Sequence, residues 1–236
     1  MAAAALLVAG TASATSLSLK YLGAASGYQT LAILESPVTP VTGATPTSVF
    51  AGAFKMRDTT ANSAFGDFVA WSLDISHWLG TSGNYPYEST TTPFSNSYGL
   101  DAAQQARVQG FFDANYESGL ETKKNQSAGF QMGLWEVLYD DDYSLTNNDT
   151  NMNYEFRGAA GNSNAATAFG YALDYLTNAS GYGAGPRRWN LMFLESKSIH
   201  ARQNLVTVSP VPVPAAGLLL FAGLAGLGMV VRRRKG

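Results

Sequence analysis

Apolar and polar residues alternate through much of the first third of the chain. Residues 16 to 75 read as strands, clearest in Tyr28 to Glu35, Thr47 to Met56 and Asp67 to Ile75, which are rich in β-branched and aromatic side chains. A period of two turns one face of an extended segment inward, which is the mark of a half-buried strand. Clusters of Pro, Gly, Thr and Ser, such as Ser36 to Pro46, separate these segments. Thr81 to Tyr98 has no periodicity and predicts a long loop. The period then lengthens. Asp101 is placed to cap a helix on which Ala103, Ala106, Phe111 and Tyr116 fall near one face. A second helix is predicted from Gln126 to Tyr139, with Phe130, Leu134 and Val137 or Leu138 as its apolar stripe. A third, from Asn164 to Asn178, carries Ala168, Tyr171, Ala172 and Tyr175 and ends before Gly181. Strands from Arg187 to Ser196 and from Ala201 to Val208 close the pattern. Strands, then about three helices, then strands predict an α+β domain, a mainly antiparallel sheet or sandwich interrupted by a helical segment. There is no internal repeat.

The two ends have another character. Ala2 to Ala9 is an apolar run, and Ala12-Ser13-Ala14 follows it with the small residues that a signal peptidase cleft admits. The basic residue expected ahead of that run is absent, which a start upstream of Met1 would explain; the alternative is a buried N-terminal strand. At the other end, Val211-Pro212-Val213-Pro214-Ala215 precedes an apolar run from Ala216 to Val231, then Arg232, Arg233, Arg234 and Lys235. Such a run is about the shortest that spans a bilayer as a helix. The basic cluster behind it would stay cytoplasmic. Pro212 and Pro214 keep the backbone before the run extended. The expected division is therefore a signal peptide at 1–14, an extracellular domain at 15–208 and a C-terminal segment with a transmembrane helix at 209–236.

The order of proline motif, apolar helix and arginine cluster resembles the VPLPA-type PEP-CTERM sorting signals of Gram-negative bacteria that make exopolysaccharide, with Val213 where Leu is usual. The resemblance implies recognition of Val211 to Ala215 by an exosortase-type membrane enzyme, with Arg232 to Lys235 as the membrane stop. It also implies a destination at the cell surface or in the matrix. An ordinary C-terminal membrane anchor is the alternative, and both place the body outside the cytoplasm.

Charge and cysteine content narrow the field. Net charge is −2, and four of the 15 basic residues sit in the tail, so no basic field is available for nucleic acid. The absence of cysteine excludes disulfides, thiolate metal sites and a cysteine nucleophile.

Two interior segments carry the most suggestive chemistry: Phe68-Val-Ala-Trp71-Ser72-Leu-Asp74, and Ala128 to Asp140 with Gln131 and the Trp135-Glu136 pair. Together they resemble a domain common in PEP-CTERM surface proteins, which is distantly similar to the thioester domains of Gram-positive adhesins. In those, a strand cysteine is joined to a glutamine at a helix start. Gln131 matches that glutamine, whereas Ser72 stands where the cysteine would be, which removes the reactive thioester. A Ser72–Gln131 ester formed with loss of ammonia is the sharper reading, and it needs a base such as Asp74 or Glu136. The plainer reading is a small strand residue whose backbone is hydrogen-bonded by the glutamine.

Other candidates are weaker. Asp140-Asp141-Asp142 and the Asn147 to Glu155 segment concentrate oxygen donors of the kind calcium takes, but their spacing does not fit an EF-hand, and a solvated acidic turn is expected. His77 and His200 have no supporting ligand pattern. No metal and no cofactor is therefore expected. Asp74 and Glu136 are the carboxylate pair to consider for glycoside hydrolysis. Tyr85, Tyr87, Phe94 and Tyr98 are the rings to consider for stacking on sugars. The preferred function is a non-catalytic structural or adhesive component of the surface or its exopolysaccharide. A glycan-binding module comes second and a secreted glycan-active enzyme third.

Overall fold

The computed structural model describes residues 15–63, 65–90, 94, 96, 100–146, 156–183, 185–198 and 200–210. Six antiparallel strands close into a barrel: β1 (Thr15–Ala24), β4 (Phe54–Asp58), β5 (Asp67–Ser72), β9 (Leu205–Pro210), β8 (Trp189–Ser196) and β6 (Asn84–Thr90), in that order around it. The expected open sheet or sandwich is thus a closed barrel, because β6 pairs back onto β1 with Leu17 opposite Tyr87. Closure removes the exposed edges that a sheet of this length would otherwise present. Leu17, Leu19, Met56, Ala70, Tyr87, Leu194 and Leu205 pack together as the barrel's own core.

A second, three-stranded sheet has the order β3 (Thr47–Ala51), β2 (Gln29–Glu35), β7 (Arg157–Ala160). The single strand predicted from Thr47 to Met56 is in fact two strands, one in each sheet. The break falls at Gly52, whose φ of 152° suits glycine and whose added Cβ would lie 3.0 Å from the Gly27 carbonyl oxygen. The loop predicted over Thr81 to Tyr98 contains β6, where Ser, Thr and Pro hide the alternation until β1 and β8 supply ladder partners. The last two strands are shorter at their starts than the pattern suggests, and β9 runs to Pro210, past the expected boundary at 208.

Three helices fill the space between the sheets: α1 (Ala102–Asn115), α2 (Lys124–Tyr139) and α3 (Ala166–Tyr182). Asp101 caps α1 in a reciprocal box: its side chain accepts from Gln104 N–H at 2.7 Å, and Gln104 accepts from Asp101 N–H at 2.8 Å. The buried side of α1 is Gln104, Val108, Phe111 and Phe112, so Ala103 and Ala106 face solvent, contrary to the predicted stripe. α2 is buried on all sides from Ser127 to Tyr139, which is why its stripe was hard to define. α3 continues past Asn178 and Gly181 to a cap at Gly183.

Small residues set the spacing of the helices. A Cβ on Gly129 would lie 2.5 Å from the Ala168 carbonyl oxygen of α3, and Ala168 and Ala172 present a smooth face there. Beside this contact an aromatic cluster joins barrel to helices, with Phe130 centred 4.6 Å from Trp71, 4.8 Å from Phe111 and 5.0 Å from Phe112. The last carbonyls of α2 are taken by α1: Gln104 Nε2 donates to Leu138 O at 3.0 Å and Arg107 Nε to Val137 O at 2.9 Å.

Candidate functional site

The most ordered polar junction lies where α2 meets a gap in the barrel wall. β4 begins at Phe54, which pairs with Ala70, so the part of β5 beyond Ala70 has no strand on that side. Backbone groups of successive strand residues point to opposite neighbours. Leu73 N–H donates to Asn204 O on the β9 side, so the N–H and C=O of Ser72 face the gap. Gln131 fills it. Ser72 N–H donates to Gln131 Oε1 at 2.8 Å, and Gln131 Nε2 donates to Ser72 O at 2.9 Å. One side-chain amide thereby replaces the peptide group of a missing strand. One turn earlier, Ser127 Oγ accepts from Ala53 N–H at 2.9 Å, so two residues four apart on one helix face seal both sides of the split. Ser127 was not singled out from sequence, although its i, i+4 relation to Gln131 is a signal that would have found it.

Ser72 and Gln131 are both fully buried. The Ser72 hydroxyl donates to Asp74 O at 2.8 Å and accepts from Asp74 N–H at 3.2 Å, closing a turn at the end of β5. The carboxyl of Asp74 is 1% exposed and fully engaged. Oδ1 accepts from the N–H and hydroxyl of Ser76 at 2.8 and 2.7 Å, and Oδ2 meets His77 Nδ1 at 2.7 Å. Ser76 Oγ lies 3.3 Å from that same Nδ1, whereas a serine nucleophile needs the other ring nitrogen. The group organises a turn and lacks the relay geometry of a hydrolase.

Glu136 belongs to a different network from Asp74. It gathers with Asp140 and Asp142 so that one oxygen of each lies within 4.8 Å of the others. Glu136 is fully buried; its Oε1 accepts from Ser144 N–H at 3.1 Å, and Oε2 is met by no donor. Burial first, then the charge of Asp140 and a hydrogen bond to Asp142, push its carboxyl up to about 10. Asp140 and Asp142, in the turn expected to be solvated, are half-buried and share a cluster with the buried glutamate, while Asp141 is exposed and 147–155 lie outside the described residues. The spacing of Glu136 and Asp140, four apart across a helix end, carries that information.

The three described candidate rings do not form an exposed stacking face. Tyr87 and Phe94 are buried, Tyr85 stacks under Arg202 with the guanidinium 4.6 Å from the ring centre, and Tyr98 lies outside the described residues. Among the described residues, Tyr28, just ahead of β2, and Phe50 of β3 form an exposed aromatic pair with ring centres 4.3 Å apart. The segments at 1–14, 147–155 and 211–236, including Val211 to Ala215, the apolar run and Arg232 to Lys235, also lie outside the described residues. Among the described residues no helix is long and apolar enough to cross a membrane.

No family profile matches the sequence, and no curated protein sequence does. Solved structures do show likenesses. The N-terminal thioester domain of fibronectin-binding protein SfbI from Streptococcus pyogenes is 15% identical with a TM-score of 0.42, over 67% of this chain and 87% of that one. The N-terminal thioester domain of a surface protein from Clostridium perfringens is 12% identical with a TM-score of 0.40, over 84% of this chain and 100% of that one. The N-terminal domain of the Streptococcus pyogenes pilus tip adhesin Cpa is 14% identical with a TM-score of 0.39, over 77% and 94%. The likeness is distant and lies in the course of the chain alone.

Proposed function

We propose that this chain is an exported, non-catalytic component of a bacterial cell surface or exopolysaccharide matrix, in which the barrel domain serves a structural or adhesive role. The observation that carries the reading is the Ser72–Gln131 junction. The glutamine amide that a thioester domain would spend on a covalent bond is here committed to the Ser72 main chain, and the serine hydroxyl is committed to Asp74. Adhesion by this domain is therefore non-covalent. The location rests on the order of Val211 to Ala215, the apolar run and Arg232 to Lys235, read as an address for an exosortase-type enzyme that removes it.

The intact mass of the protein recovered from its native host tests both parts. Termini near Thr15 and Val211, with no loss of ammonia, are expected. Retention of the arginine tail would overturn the sorting claim, and loss of one ammonia mapped to Ser72 and Gln131 would overturn the non-covalent one.

A second reading, a glycan-binding module, is favoured by Tyr28 and Phe50, which are 47% and 62% exposed and lie against each other. Retention on a column of the host's polysaccharide that is lost on Phe50→Ala would establish it. The enzymatic reading is the weakest, because Asp74 and Glu136 are engaged in separate networks.

A further inference from the structure

The C-terminal end of α2 is an unusual place for acidic side chains. The end of a helix carries partial negative charge, which favours cations there and disfavours carboxylates. No basic residue lies in the last turn of α2, yet Glu136 is in that turn, Asp140 is its C-cap and Asp142 follows. Arg107 offsets part of this through the Val137 carbonyl, on the side of the helix that meets α1. The three carboxyls are concentrated there, with one oxygen of each within 4.8 Å of the others. Two oxygens bound to one calcium ion at 2.3–2.6 Å can be no more than about 5 Å apart, so this spacing is that of a ligand set.

An independent observation marks the centre of the cluster. Glu136 is fully buried, and its Oε2 receives no hydrogen bond. A buried carboxyl oxygen that receives no donor and lies beside another carboxyl is costly unless a proton shared with Asp142 or a cation sits between them. Asp140 and Asp142 are half-buried, which gives an ion a path from solvent. All three donors are carboxylate oxygens, with no nitrogen or sulfur among them, which selects a hard cation. Tolerance of irregular coordination by carboxylates, carbonyls and water favours calcium over magnesium, which requires a near-ideal octahedron.

We propose that Glu136, Asp140 and Asp142 bind one calcium ion at the C-terminal end of α2. The ion joins that helix end to the turn after it, and the structural role of α2 in sealing the barrel becomes dependent on calcium. The inference uses none of the reasoning for adhesion and stands or falls separately from it.

The full chain, stripped with chelator, is melted with and without calcium chloride, and binding is counted by titration calorimetry. One site per chain is expected, with a rise in Tm of about 5–10 °C at a hundredfold excess over Kd. Asp142→Asn and Glu136→Gln should each abolish most of the rise, while the exposed Asp174→Asn on α3 should keep it. Glu136→Gln keeps the shape of the side chain and can donate to Asp142 as the acid does, so it folds in chelator, and Asp142→Asn provides the second case. No rise in the wild type, or a rise unchanged in both variants, overturns the proposal. An equal rise with magnesium alone would overturn the choice of calcium.

Discussion

Gln131→Met tests the view that one side-chain amide stands in for a strand. The substitution preserves length and approximate volume, so no cavity opens and the effect isolates the two hydrogen bonds at 2.8 and 2.9 Å. Ser72 is completely buried, so water cannot replace the lost partner. Each orphaned backbone group costs about 1–3 kcal/mol, giving about 2–6 kcal/mol for the pair. With a urea m-value of about 2–3 kcal/mol/M for a domain of this size, the unfolding midpoint should fall by about 0.7–3 M. Ser72→Ala removes only the hydroxyl contacts to Asp74 and should cost about 1 kcal/mol. In a double-mutant cycle the two changes should couple by less than about 1 kcal/mol, because the amide touches only the main chain of Ser72. A covalent bond between the two side chains would instead make the second substitution nearly free. A Gln131→Met variant within about 0.5 kcal/mol of wild type would refute the strand-substitute argument.

Gly129→Ala gains about 1 kcal/mol of helix propensity but drives a methyl to 2.5 Å from the Ala168 carbonyl oxygen, so a net loss of Tm is expected in a thermal melt. Asp101→Ala should cost about 1 kcal/mol in urea unfolding through loss of the capping box. Burial alone would raise the carboxyl of Asp58, but hydrogen bonds from the Ser63 and Thr60 side chains and the Thr60 and Ser18 backbone hold it below its usual range. A depressed folded-state pKa gives stability that is present above the unfolded value of about 4 and lost as pH falls through the folded one. Wild type should therefore lose stability in acid more steeply than Asp58→Asn, and parallel curves of unfolding midpoint against pH would contradict this.

What could be read from sequence was local. The Asp101 cap depends on residues three apart, and the pattern around it places α1 within a residue of its observed start. The class of fold was legible for the same reason, since changes of period mark where strands give way to helices. The missing parts depend on partners distant in sequence. β6 contains Pro86 and a run of hydroxyl residues, and it is a strand because β1 and β8 hold it on both sides. Thr47 to Met56 reads as one strand-like run of apolar and β-branched residues, so only the demand that its halves serve two sheets reveals the break at Gly52. Ser72 and Gln131 were paired through a resemblance, and their geometry turned out to be main chain to amide. The Glu136 cluster is hard to read from sequence because its glutamate sits in the last turn of α2 and the aspartates at and beyond its end, so no single element displays all three.

The placement of β9 bears on how the domain would carry load. The chain leaves the barrel from a strand held by β5 on one side and β8 on the other, with Trp71 opposite Val206 and Phe193 opposite Val206 as well. A pull along the chain at Pro210 loads in shear the β8 ladder, which runs from Pro210 back to Leu205, with the β5 pairing at Val206 and Leu205 behind it. The same pull on an outer hairpin would peel it one bond at a time. A surface protein held by its C-terminal end would thus have its attachment at the strand best able to resist traction. Cutting the chain after Pro210 would leave all six staves of the barrel in place.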